Sequence, residues 1–230
     1  MIRPSLASPP ALLAAIFCLW GGSAGADDAI GGDVIVTKDM KPWEGCGECH
    51  DLDGVAPNGH FPNLAAQRSA YFRKQMADFR DGRRSNDHGQ MGTSSRGMSD
   101  EALDQVVTYF SWLPPAPPHP LQRIDEENVG RAHRLIEEGD RTERIPPCAN
   151  CHGAHPKHDY DAPCLEAQQA GYIAKELYDF KTGRRANDHE SAMQKVAQKL
   201  SEPDIELLAA YLASLPRPTV SGVASCGEGL

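Results

Sequence analysis

Aromatic residues are scarce in this sequence: 6 Phe, 6 Tyr and 3 Trp make up 7% of 230 residues. Small domains bury little surface, so a chain this poor in rings needs apolar mass from another source, such as a covalent cofactor. Long hydrophobic runs are missing too. The apolar stretch Ala11 to Trp20 falls well short of the roughly 20 residues that a membrane-spanning helix requires. Basic clusters are absent: 23 Lys and Arg face 32 Asp and Glu, a formal charge of −9, which argues against nucleic acid and anionic membrane surfaces as partners. No segment alternates apolar and polar residues strongly enough to support a sheet.

The first residues read as an export signal. Arg3 supplies a short positive region, the apolar run follows, and Ala24-Gly25-Ala26 presents small residues where a signal peptidase cuts. The competing reading is a retained anchor. Cys18 does not make a lipoprotein site, because Ala15-Ile16-Phe17 lacks the small residue wanted before it. The expected mature chain starts at Asp27 and works outside the cytoplasm. It carries 22 basic and 32 acidic residues, split at Pro120 into halves of −5 each.

The mature chain is written twice. Gly82-Arg83-Arg84-Ser85-Asn86-Asp87-His88 returns as Gly183-Arg184-Arg185-Ala186-Asn187-Asp188-His189, and Cys46-Gly47-Glu48-Cys49-His50 returns as Cys148-Ala149-Asn150-Cys151-His152. The offset drifts only between 101 and 102. Between the copies, Pro114-Pro115-Ala116-Pro117-Pro118-His119-Pro120 cannot continue a helix and favours an extended, stiff form. The division expected is a signal peptide at 1–26, a first domain at 27–113, a linker at 114–120, a second domain at 121–216 and a tail at 217–230.

Each copy reads as a small all-α domain. Phe72, Met76 and Phe79 share a helix face that ends at Gly82; Ile173, Leu177 and Phe180 repeat the pattern before Gly183. Ser99 caps a helix with Leu103, Val106, Val107 and Phe110 inward, and Ser201 caps its counterpart with Ile205, Leu208 and Leu212 inward. Asn128 to Glu138 predicts a further helix in the second copy, whose first-copy equivalent, Asp33 to Trp43, is interrupted by Pro42.

Cys-x-x-Cys-His is the attachment sequence of c-type haem: two thiols add to the porphyrin vinyl groups and the adjacent histidine reaches the iron. The residues are Cys46, Cys49 and His50, then Cys148, Cys151 and His152, implying two covalently bound haem c groups. A zinc site would need four ligands in each copy, which Cys164 and Cys226 cannot supply, and a thioredoxin-like pair would need a strand–helix unit. The opposite axial ligand follows from the repeat. Met91 and Met193 each lie 41 residues beyond their haem histidine, whereas Met76 and Met98 align with Leu177 and Leu200 and read as core. His/Met ligation closes the iron to outside ligands and raises its potential. His88 and His189 are also paired across the repeat and are the competing ligands. Pro62 and Pro163 follow the haem histidines by 12 and 11 residues. Their carbonyls could accept the ring N–H, or they could be ordinary loop prolines.

The mature chain resembles the dihaem cytochrome c4 family over nearly its whole length. The matching stretches are Phe61-Pro62-Asn63-Leu64-Ala65-Ala66-Gln67, Asp78-Phe79-Arg80-Asp81-Gly82-Arg83, Ile145-Pro146-Pro147 and Arg185-Ala186-Asn187-Asp188. The resemblance implies two class I cytochrome c domains about a pseudo-twofold axis, haem edges facing each other. It implies methionine ligands eight positions before Ser99 and Ser201, which are Met91 and Met193, and a crossing of first and last helices at Ala132 and Tyr211. It also implies periplasmic electron transfer from a redox protein donor to an acceptor, commonly a membrane-bound terminal oxidase, with no small-molecule substrate. An alternative is a dihaem subunit of a periplasmic dehydrogenase, such as a sulfide-oxidising flavocytochrome; a peroxidase would need an open axial position. Cys164 and Cys226, left over in an oxidising compartment, form the expected disulfide.

Overall fold

The computed structural model describes residues 40–121, 124–153, 162–217, 219–220 and 223–224, so the expected export signal, most of the segment from Asp33 to Trp43, and Cys226 lie outside the described residues. The first copy contains helices α1 (Gly47–His50), α2 (Ser69–Arg80), α3 (Gln90–Ser95) and α4 (Asp100–Ser111). The second contains α5 (Glu126–Glu137), α6 (Ala149–His152), α7 (Ala170–Thr182), α8 (Ala192–Ala197) and α9 (Glu202–Ser214). Helix α5 starts two residues before the sequence pattern suggests, because Asp125 caps it: the carboxylate accepts the Asn128 N–H at 2.8 Å. The cap serines act as expected, with Ser99 accepting from Ala102 and Ser201 from Asp204, each at 3.2 Å. Gly82 and Gly183 follow the ends of α2 and α7 at φ +74° and +77°, the left-handed conformation that ends a helix cheaply only at glycine. A hairpin of two-residue strands, Thr219–Val220 and Val223–Ala224, is too short for any alternation to betray it.

In both copies the long helix after the haem loop packs against the last helix and the short methionine-bearing one: α2 on α4 and α3, α7 on α9 and α8. The first core is Phe72, Met76, Leu103, Val106, Val107 and Phe110. At equivalent positions the second uses Ile173, Ile205, Leu208, Ala209 and Leu212, with Leu135 from α5, which packs on α9. Burying each large side chain contributes roughly 1.5–3 kcal/mol. Ala132 on α5 is fully buried. In the first copy Trp43 stacks on Tyr109, the counterpart of Tyr211, with centroids 4.8 Å apart.

Both copies belong to one compact unit, and the seam between them is reciprocal. Gln67 accepts the Cys164 N–H at 2.8 Å and donates to the Cys164 carbonyl at 3.2 Å. Gln168, its repeat partner, accepts the N–H of Asn63 at 2.7 Å and donates to the Asn63 carbonyl at 2.9 Å. Residue i meeting j′ while i′ meets j is what a twofold relation produces. The linker is held to this body, since Ala116 is buried and the His119 N–H donates to the Ala213 carbonyl at 2.9 Å. Arg217, just beyond α9, donates to Ala65 and Ala66 of the first copy and Glu166 of the second, at 2.7–3.0 Å.

At the centre of the seam the second arginine of each Gly-Arg-Arg motif is buried. Arg84 donates to Tyr172 and Glu176, and Arg185 to Tyr71 and Gln75, at 2.8–3.2 Å. Each guanidinium also lies over a ring of its own copy, Phe79 or Phe180. Glu176 receives both arginines, one on each oxygen, each at 2.8 Å. Burial opposes its ionisation, but the two cations prevail and hold the carboxyl at about 2. Its repeat partner is the neutral Gln75.

Candidate haem sites

The attachment residues sit on single turns of helix. Cys46 is the N-cap of α1, with Cys49 and His50 inside it; Cys148, Cys151 and His152 stand in the same places on α6. One turn brings residues three apart to the same side, so both thiols of a pair can meet one porphyrin edge. All four thiols are free, and burial pushes Cys46 and Cys148 up to about 11. Among the described residues no three His, Cys, Asp or Glu side chains converge as a bare-metal site requires.

The imidazoles are oriented identically. His50 donates from Nδ1 to the Pro62 carbonyl at 2.9 Å, and His152 donates to the Pro163 carbonyl at 2.9 Å. A carbonyl only accepts, so the proton is on Nδ1 and the Nε2 lone pair is free for iron. Burial lowers the pKa of His50 against the opposing pull of its proline bond. Burial likewise brings His152 to about 4, with the proline bond opposing and the Arg68 cation adding to the effect. Both rings are therefore neutral at physiological pH, the form that binds a metal. Oriented neutral histidines beside paired free thiols fit a covalently attached haem.

Met91 is half-buried on α3 and packs against the first core, as does Cys46. Met193 is half-buried on α8. The competing His88 and His189 are exposed. Met76 lies in the core and Met98 packs against it. Each methionine helix is anchored by the aspartate of the repeated Asn-Asp pair: Asp87 accepts the Met91 N–H at 2.5 Å, and Asp188 accepts the Met193 N–H at 2.7 Å. The second copy has one more residue between anchor and methionine. The first turns this corner with His88 and Gly89 at φ +57° and +82°, the second with Glu190 and Ser191 at +50° and +57°.

Several contributors are not singled out by the sequence reading: Asp87 and Asp188, the glutamine pair of the seam, Arg68, and the buried arginines, which enter there only as part of the repeated segment. Identity across the repeat is a signal for Asp87, Gln67 and Arg84, and not for Arg68, whose repeat partner is Gln169. Cys164 is buried and disulfide-bonded. The four motif cysteines are free, so its partner lies outside the described residues, as does the expected partner Cys226.

Comparison with known proteins places these features in context. The cytochrome c family profile matches residues 146–216, within the second copy. Cytochrome c4 of Pseudomonas aeruginosa is 35% identical over 173 residues, covering 74% of this chain and 83% of the relative. A thiosulfate dehydrogenase electron acceptor of Stutzerimonas stutzeri is 34% identical, covering 74% of this chain and 78% of the relative. Among solved structures, reduced recombinant cytochrome c4 from Pseudomonas stutzeri superposes with a TM-score of 0.65 at 32% identity, covering 74% of this chain and 93% of the other.

Proposed function

We propose, from the premise that this chain belongs to the dihaem cytochrome c4 family and carries two covalently bound haem c groups, that it works in the periplasm and passes single electrons from a redox protein donor to an acceptor such as a membrane-bound terminal oxidase. It is an electron carrier and not an enzyme. The haem supplies the one-electron iron couple. The protein's own part is to fix the proximal ring: the His50–Pro62 and His152–Pro163 bonds set its direction and basicity. That paired bond, formed identically twice, is the observation that carries the reading.

Met91 and Met193 are the proposed opposite ligands, Cys46, Cys49, Cys148 and Cys151 the proposed thioether positions, and His50 and His152 the proximal ligands. The domain limits proposed are 27–113 and 121–216, joined by 114–120, after removal of residues 1–26. The tail, 217–230, is proposed to be fastened by Cys164–Cys226. The test is spectroscopic. Holoprotein made in a host that matures c-type cytochromes is expected to show two haems per chain. Met91→Ala and Met193→Ala are each expected to let carbon monoxide bind one haem and to lower that haem's potential only. Unchanged spectra in both variants would rule out methionine ligation.

A second reading is favoured by the relative named as a dehydrogenase's electron acceptor: this chain is the electron-accepting partner of a periplasmic dehydrogenase. Purification from the source organism separates the two, since a stable complex would bring a second polypeptide and its cofactors.

A further inference from the structure

Besides Glu176 opposite Gln75, the seam departs from reciprocity where the first copy reaches into the second attachment site. Arg68, the N-cap residue of α2, is buried at 8% exposure. Its guanidinium donates to the Ala162 carbonyl at 2.7 Å, the Gly153 carbonyl at 2.7 Å and, at the limit of a hydrogen bond, the Cys151 carbonyl at 3.5 Å. Cys151 and Gly153 flank His152. The fork thus closes on the C-terminal end of α6, the turn that carries the second thioether and iron ligand. The repeat partner of Arg68 is Gln169, an uncharged amide. It donates to the Ala56 carbonyl at 2.8 Å and to Asn63 at 3.2 Å, beyond the first attachment turn. The two sites, alike in thiols, histidine and proline, differ by a cation set against one of them.

We propose that Arg68 is a positioning residue lent by the first copy to the second haem, holding that haem's reduction potential above its neighbour's. This rests on the two-haem reading above. An arginine remains protonated at every accessible pH. A fixed positive charge beside an iron centre penalises the ferric state more than the ferrous one, by Coulomb's law in a medium of low dielectric. The same fork draws the α6 carbonyls toward itself and so fixes the turn from which His152 projects. Electrons delivered to either haem then settle on the second.

The test is a haem-resolved redox titration of the mature holoprotein, followed by NMR of the haem methyl signals, on wild type, Arg68→Gln and Arg68→Lys. Haem content is measured first: a chain without two covalent haems would sink the carrier reading itself. With both present, Arg68→Gln is expected to lower the second haem's reduced-to-oxidised ratio about tenfold, which for one electron is about 59 mV. The first haem should move by less than a third of that. Arg68→Lys, which keeps the charge, should retain at least half of the separation. Equal shifts at both haems, no shift at either, or a lysine variant that behaves like the glutamine one would each overturn the proposal.

Discussion

The two copies answer the same structural demands with different residues. In the first, Trp43 stacks on Tyr109, next to Pro42; in the second, α5 packs on the last helix and places Leu135 in the core. The first core is built on two phenylalanines, the second on branched aliphatics. Yet the histidine–proline bond is 2.9 Å in both, and the glutamine clasp across the seam is formed twice. Apolar volume can be redistributed among neighbours with little loss, whereas a directed hydrogen bond to a ring nitrogen has one workable geometry.

The sharpest way to break the comparison is to remove a central charge that has no counterpart in the other copy. Glu176→Gln makes the centre of the seam symmetrical and leaves two buried guanidiniums with no carboxylate between them. Breaking a buried pair by deleting one partner costs about 3–5 kcal/mol; urea unfolding of the holoprotein should show it. Adding Gln75→Glu to that variant moves the carboxylate to the equivalent place in the other copy, and more than half of the lost stability should return. A double variant no more stable than the single one would mean that the two positions are not interchangeable.

Acid should act on the same group. Glu176 titrates at about 2 in the folded protein, below the ~4.3 of an ordinary glutamate. Its contribution is therefore complete above about pH 4.3 and disappears as pH falls toward 2, amounting to roughly 3 kcal/mol. Unfolding free energies at pH 5 and pH 2.5 should differ by less in Glu176→Gln than in the wild type. The smallest effect expected is at the corner before each methionine. Ser191→Gly relieves a non-glycine residue at φ +57° and should stabilise the second copy by about 0.5–1 kcal/mol, read as a rise in Tm. No rise would place the strain elsewhere in that turn.

Much of this architecture can be read from the sequence. The haem turns, the long helices, their serine caps and their glycine stops all have local signatures, because periodicity and capping involve residues within a few positions of each other. Helices α3 and α8 do not. They are six residues long and begin from left-handed corners, so no amphipathic pattern has room to appear. The seam is hidden for another reason. Gln67, Arg68, Arg84 and Glu176 are buried, yet each is of a type that usually faces water. Arg83 and Arg84 are adjacent and alike in sequence; the first is exposed, and the second is buried over Phe79 and bonded to Tyr172 and Glu176 of the other copy.

A homodimer is written by one gene, so any residue placed on its axis must appear on both sides. Joining the copies in one polypeptide lifts that restriction. Glutamine can stand at position 75 and glutamate at position 176, and the contact surface can hold an odd number of charges. A single chain thus has a freedom that free association of identical copies denies: its halves can differ at the place where they touch.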